Sequence, residues 1–418
     1  MKKNILRTPF LLSLLLAMTA MQAQRPAYLH SRPRKNENTD NSFIYYGNAE
    51  KTYASFFQSL NKLILKGEGT INIVQIGDSH IQAGFFPEEM RKEFAAFISS
   101  GCGARGLIFP YRIARTNNPA DYSVRYTGKW EHCRNVELTK TCSLGLTGIV
   151  VRTRDTLAGM TFHFKENATF REFNFIRIFH DPSDTNFRFD FPGLAGMYHS
   201  LLPVRTGYTD IRFDSIIHDS LKIRIVRKDT AGNYFTLYGI DFENEDPGIV
   251  YSASGVNGAE VTSFLRCDQL KEQLGILKPG WVIISLGTND AYPVHFNKDE
   301  FTGNYVELIK RIREAAPGVP VLLTVPGDSY RRHRSDNPNM EKAREAILET
   351  AKQTGCAVWD FYSLMGGPKS IMNWYKDGLV ARDKLHFDKQ GYIIQADLLF
   401  EAFMNAYSSF IDQSEPSE

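Results

Sequence analysis

Three short polar stretches hold side chains that together could break an ester bond. Gly77-Asp78-Ser79-His80 offers a hydroxyl at the end of an apolar, β-branched run, where a turn into a helix can expose it beside backbone N–H groups. Ser79 is the candidate nucleophile, and Asp78 supports its turn. Gly287-Thr288-Asn289-Asp290 follows the hydrophobic run Val282 to Leu286 and puts a side-chain amide where an oxyanion would form. Asn289 is the candidate donor there, with Gly287 as the supporting turn residue. Asp383-Lys-Leu-His386 has the i, i+3 spacing with which a carboxylate can orient an imidazole. His386 is the candidate base and Asp383 its partner.

Each stretch also has a plainer reading. A Gly-Asp-Ser turn after a strand is commonly a helix cap, Gly287 to Asp290 could simply close a strand, and a loop histidine is usually solvated. What favours chemistry is their joint occurrence in this order, because open α/β sheets place their sites at the carboxyl ends of parallel strands.

The elements needed to bring these stretches together can be read from the periodicity. Tyr53, Phe56, Phe57, Leu60, Leu63 and Ile64 recur at helical spacing between Ala49 and Lys66, and Gly67 closes that segment. The strand Ile71 to Ile76 follows, then the nucleophile turn and a helix over 87–98. The alternation resumes with strand 248–252, helix 259–274, strand 282–286, helix 298–315, strand 319–325, helix 339–354, strand 357–361 and helix 389–407. Such alternation predicts a parallel sheet covered by helices. Between Gly106 and about Glu245 the texture changes to short aromatic and β-branched strands such as Phe187-Arg-Phe-Asp-Phe191, the pattern of a β-sandwich. The expected organisation is a signal peptide (1–24), a flexible linker (25–48), an α/β domain in two parts (49–105 and 247–408), an inserted all-β domain (106–246) and a tail (409–418).

Gly-Asp-Ser early, Gly-x-Asn in the middle and Asp-x-x-His late resemble three of the conserved blocks of the SGNH (GDSL-type) hydrolases. The remaining block needs a glycine after the second strand, and Tyr251-Ser-Ala-Ser-Gly-Val-Asn-Gly258 supplies it. The resemblance implies a flavodoxin-like three-layer α/β fold and an oxyanion hole built from the N–H groups of Ser79 and Gly258 with the Asn289 amide. Gly258, which opens the next helix, fits that role better than Gly255. His80 stands where leucine is usual, and is read as structural or as part of the cleft wall. Gly77 to Gly84, the Gly101-Cys-Gly-Ala-Arg-Gly106 stretch, the β-insert and the Gly-Val-Asn-Gly block together look like the peptidoglycan O-acetylesterases of bacteria, in which a jelly-roll resembling a carbohydrate-binding module interrupts the hydrolase.

The implied activity is removal of O-acetyl groups from a glycan, peptidoglycan first, with hemicellulose or O-acetyl sialic acid next. An O-acetyltransferase using the same relay and a non-catalytic glycan-binding protein are the alternatives. No cofactor is expected, and no metal, since no His/Cys/Glu cluster with ligand spacing is evident in the sequence. Trp130, Tyr126, Tyr198 and Tyr208 are candidates for stacking on sugars, although most aromatics of a sandwich fill its core.

Composition agrees with an exported globular protein. Lys2, Lys3 and Arg7 precede an apolar stretch from Pro9 to Ala20 and then Gln22-Ala23-Gln24, the layout of a signal peptide. The stretch is shorter than the roughly 20 residues a membrane-spanning helix needs, so an uncleaved anchor is the lesser alternative. Removing it would leave 46 basic against 47 acidic residues, a near-neutral protein with no electrostatic reason to bind nucleic acid. The expected partner is an acetylated glycan polymer in the periplasm or outside the cell. The five cysteines are too scattered for a disulfide scaffold; Cys133 with Cys142 is the one plausible bridge, and free thiols are preferred even there.

Overall fold

β-Branched and aromatic residues buried on both faces mark the strands of a central sheet, as expected where helices cover a parallel sheet on each side. The computed structural model describes residues 40–98, 103–184, 186–201, 207–228 and 233–414; the leader, most of the 25–48 segment and Cys102 lie outside them. The sheet runs in the order Ile44–Tyr45, Ala357–Trp359, Val321–Thr324, Trp281–Ser285, Thr70–Gly77, Gly248–Gly255. All neighbours are parallel except the first pair, where Ile44 and Tyr45 lie antiparallel to Val358 and Ala357.

Side chains alternate across this sheet. Ile73, Trp281, Ile283 and Leu322 face the helices Ala49–Lys66, Phe85–Phe97 and Lys389–Ser414. Val74, Ile76, Val282, Ile284 and Leu323 face the helices Lys298–Ala315 and Asn339–Thr354. A buried polar ladder crosses four strands just beneath the site: Tyr251 donates to Gln75 at 2.9 Å, Gln75 to Ser285 at 3.0 Å and Thr324 to Ser285 at 3.0 Å. Each buried hydroxyl or amide in it has a partner, which is the condition for burying it cheaply.

Residues Gly106 to Glu243 build two antiparallel sheets. One follows the order Tyr198–Ser200, Tyr208–His218, Glu172–His180, Phe235–Glu243, Ile149–Thr153, Glu131–Arg134, with Gly106–Ile108 also paired to Phe235–Glu243. The other is Tyr122–Thr127, Gly159–Phe164, Ser220–Arg227, Phe187–Asp190. Their inner faces meet through aromatic rings, Phe242 lying 4.8 Å from Phe173 and 5.4 Å from Phe164. This core is continuous with the one beneath the α/β sheet, so Val256 and Phe264 belong to the same apolar cluster as Tyr238 and Leu146.

Several local expectations are corrected. The end of the predicted linker is structured: Ile44–Tyr45 joins the sheet edge and the buried Asn41 bonds Leu398 O at 2.9 Å. The helix expected over 259–274 is two, Val261–Leu265 and Leu270–Leu277. Contacts from the β region interrupt it, since Asp268 accepts Ser143 Oγ at 2.8 Å and Leu144 N at 2.7 Å, while Arg266 donates to the carbonyls of Asn135, Glu137 and Lys140. The last strand stops at Trp359, because Asp360 caps the helix Phe361–Met365 by accepting Ser363 N at 3.2 Å. The final helix runs past Tyr407 to Ser414, into the predicted tail. Cys133 and Cys142 form a disulfide rather than free thiols. Arg266 gathers the carbonyls between them into one turn, and Cys267 and Cys356 are the free cysteines among the described residues.

Candidate active site

Ser79 opens the short helix Ser79–Gln82 at the carboxyl end of the strand Thr70–Gly77. Asp78 caps that helix, its Oδ1 accepting His80 N at 2.9 Å, which fixes the direction of the serine side chain. Ser79 Oγ lies 2.9 Å from His386 Nε2, and His386 Nδ1 lies 2.7 Å from Asp383 Oδ2. With Nδ1–H donating to the carboxylate, Nε2 is left as the acceptor for the serine hydroxyl.

The loop carrying this pair is closed on itself. Ala381 N donates to His386 O at 2.8 Å, and Val380 bridges Phe387. Asp383 Oδ1 also accepts the N–H groups of Leu385 and His386, both at 3.0 Å. Burial works to raise the Asp383 carboxyl, but hydrogen bonds from the His386 ring and these two N–H groups outweigh it and hold it below the ordinary carboxylate range. Asp383 therefore stays ionised beside the imidazole, as the partner of a base must.

Asp78 differs. Chiefly burial pushes it up to about 6, against the opposing pull of the His80 N–H and the His386 ring. Its Oδ2 faces Asn289, whose Nδ2 donates to it at 3.3 Å and to Ala259 O at 3.0 Å. Asn289 thus reaches the nucleophile turn, with both amide protons engaged. Gly287 anchors the Asn289 turn by accepting Ala291 N at 3.0 Å. The following Asp290 accepts Val261 N at 3.1 Å, fixing the helix that begins after Gly258.

The two candidate glycines separate clearly. A Cβ on Gly255 would sit 2.2 Å from Gln82 N, so Gly255 is required where its strand passes the nucleophile helix. Gly258 has φ +81° and only open space where a side chain would go.

His80 packs beside the His386 ring. Its ring centroid is 5.2 Å from that of His386 and 5.8 Å from that of Tyr392, whose hydroxyl lies 3.1 Å from His80 Nδ1. Burial, then the neighbouring His386, lowers its pKa to about 3, so it remains neutral near pH 7.

Sequence reasoning missed Gln82. Its Oε1 accepts Asn257 N at 2.7 Å and its Nε2 donates to Thr116 Oγ1 and Asn117 O, both at 2.9 Å. It ties the nucleophile helix to the segment presenting Gly258. A glutamine three positions after the serine was the available signal, but its partners come from two other parts of the chain. One acidic grouping was also invisible: Glu89, Glu93 and Asp397 bring carboxylate oxygens within 4.8 Å of one another, and only the packing of two helices assembles it. Among the sugar-stacking candidates, Tyr126 is exposed; Trp130 bonds Thr127 O at 2.8 Å, Tyr198 packs on Phe191 at 4.8 Å and Tyr208 lies under Arg177.

The parallel sheet with helices on both faces, carrying a serine at one strand end and a histidine in the last loop, is the SGNH-hydrolase fold, here with additional antiparallel sheets. Residues 224–394 match the model of the GDSL-like Lipase/Acylhydrolase family, a stretch that contains Gly258, Asn289, Asp383 and His386. A solved peptidoglycan O-acetylesterase superposes with a TM-score of 0.69 at 22% identity, covering 88% of this chain and 99% of that one. A lipase/acylhydrolase from Enterococcus faecalis gives a TM-score of 0.30 at 21% identity over 41% of this chain and 80% of that one. An acetyl-xylooligosaccharide esterase from Geobacillus Stearmophilus gives 0.30 at 20% identity over 38% and 73%. Comparison with curated proteins finds no match.

Proposed function

We propose that the protein is an exported serine esterase that removes O-acetyl groups from a glycan, with O-acetylated peptidoglycan as the preferred substrate. The observation that carries this reading is the relay itself, Asp383 to His386 at 2.7 Å and His386 to Ser79 at 2.9 Å. Ser79 Oγ attacks the acetyl carbonyl as His386 Nε2 takes its proton, and the resulting imidazolium rests against the ionised Asp383. The carbonyl electron pair moves to the oxygen, where the N–H groups of Ser79 and Gly258 and the Asn289 amide stabilise it. Collapse expels the sugar hydroxyl, which takes the proton from His386. Water, deprotonated by the same imidazole, then attacks the acetyl-serine and releases acetate.

The preference for peptidoglycan draws support from the likeness to a peptidoglycan O-acetylesterase, which extends over 88% of this chain. In this reading residues 106–246 are an inserted domain that orients a polymer over the cleft, and the leader directs the protein to the periplasm or beyond. No helix of the described residues is long and apolar enough to cross a membrane. The test is acetate release by purified protein, with Ser79→Ala as control, from O-acetylated peptidoglycan, acetylated xylan and O-acetyl sialic acid. Release from peptidoglycan that disappears in the variant is the expected result. No release from any substrate overturns the esterase reading, and faster release from xylan or sialic acid overturns the substrate.

A further inference from the structure

The segment Tyr330 to Asp336 takes no part in the relay, yet it is fastened to the loop that carries Asp383 and His386 and to the one that carries Asn289. It forms a hairpin in which Tyr330 pairs with Asp336 and Arg331 with Ser335. Tyr330 N donates to Lys384 O at 2.8 Å, on the loop between Asp383 and His386. On its other side Arg331 donates to Tyr292 O at 2.9 Å and to Asn337 Oδ1 at 2.7 Å, and Arg332 N donates to the Tyr292 hydroxyl at 3.0 Å. Tyr292 follows the turn of Asn289. The hairpin therefore spans the Asn289 loop and the Asp383–His386 loop.

Its tip is cationic and open to solvent. Arg331 is consumed in anchoring, whereas Arg332 and Arg334 are exposed and, like the exposed Arg382 on the relay loop, have no ion-pair partner among the described residues. Lys384 adds a fourth cation, its ammonium 5.0 Å from the ring centre of Tyr330 and 5.5 Å from that of Tyr375. Of the acidic residues nearby, Asp336 pairs with Lys369 at 3.3 Å, while Asp383 keeps its negative charge beside the His386 ring, so the four cations exceed the one carboxylate of the relay loop. Arg332 and His333 hold φ values of 51° and 64°, where a hairpin turn favours Asn and Gly. In a chain whose net charge is only +2, this is a local concentration of positive charge beside the loop of Asp383 and His386.

We propose that the hairpin tip, with Arg382 and Lys384, binds carboxylates flanking the acetylated sugar, making the enzyme selective for an acidic glycan such as peptidoglycan with its peptide carboxylates over a neutral one such as xylan. The inference rests on the esterase reading and sharpens its substrate. Clustered charge at a cleft raises local substrate concentration and capture rate, and does so less as salt screens it.

The measured quantity is the ratio of kcat/KM on O-acetylated peptidoglycan to kcat/KM on p-nitrophenyl acetate, an uncharged ester. In Arg332→Gln/Arg334→Gln the ratio is expected to fall about tenfold. Arg332→Lys/Arg334→Lys, which keeps the charge, restores most of it. In the wild type the ratio falls as NaCl rises from about 50 to about 500 mM. A ratio unmoved by the glutamine pair or by salt, with circular dichroism and melting temperature intact, overturns the proposal. Absence of Ser79-dependent hydrolysis of either substrate overturns the esterase reading and this inference with it, an outcome distinct from an active enzyme indifferent to the arginines.

Discussion

Asn289 donates its side-chain amide to Asp78 across 3.3 Å, linking the loop after the central strand to the turn that carries Ser79. The same nitrogen donates to Ala259 O at 3.0 Å. In the proposed oxyanion role the proton that now reaches Asp78 would turn to the developing oxyanion, with the bond to Ala259 O left in place. Asn289→Ala is expected to lower kcat by roughly a hundredfold or more with little change in KM, because the lost donor acts in the transition state. Steady-state kinetics on p-nitrophenyl acetate checks this; a change confined to KM would remove Asn289 from the oxyanion hole.

Asp383 holds His386 through its ring and its own N–H. Asp383→Asn leaves the turn similar in shape but offers an amide to Nδ1, which favours the wrong tautomer. A loss in kcat of roughly a thousandfold to ten-thousandfold is expected. Single-turnover acetylation of Ser79, followed by mass spectrometry, should slow by a similar factor.

Gln82 positions the Gly258 segment through Asn257 N at 2.7 Å. Gln82→Leu removes the acceptor for that N–H, while Thr116 Oγ1 keeps the Asn257 amide at 3.3 Å, so the loss is that of a part-buried hydrogen bond, about 1 kcal/mol. A lower melting temperature and about a tenfold fall in kcat are expected. Gln82→Glu, which keeps the acceptor for Asn257 N, should recover much of kcat; equal damage from both variants would assign Gln82 to stability alone.

Asp397 lies against Glu89 and Glu93, and burial followed by those two charges pushes its pKa up to about 7. A carboxyl raised on folding contributes stability below its unfolded pKa of about 4 and loses that contribution as pH rises to 7. The wild type should therefore lose more melting temperature between pH 4 and 8 than Asp397→Asn does. Parallel pH profiles for the two proteins would show that folding leaves the Asp397 pKa where it stands in the unfolded chain.

The disulfide Cys133–Cys142 closes a loop held on the other side by Arg266. Cys133→Ala/Cys142→Ala should lower unfolding free energy by about 2 to 3 kcal/mol, on the chain-entropy estimate for a short loop. Urea denaturation measures it, and acetate release at 25 °C should change little because the bridge lies outside the relay.

How much of this could be read from the chain follows from the range of each interaction. The strand Thr70–Gly77 and the helices Lys298–Ala315 and Asn339–Thr354 were legible because their period and end signals are local. So was the pairing of Asp383 with His386, since three residues of one loop bring them together. The helix broken at Arg266 was not, because what breaks it is Ser143, Leu144 and three carbonyls from the β region. Gln82 and the Glu89/Glu93/Asp397 grouping were hidden for the same reason.

Residue order along the chain sets which residue types stand at which strand ends, and with them the α/β class and the chemistry available to Ser79, Asn289, Asp383 and His386. Only the packing of the whole chain brings Ser79 and His386, 307 residues apart, to 2.9 Å, joins Cys133 to Cys142, and ties a basic hairpin to the loops of Asn289 and His386. Periodicity records which face of an element is apolar. Distances between elements are set by how those faces pack, and packing depends on every neighbour at once.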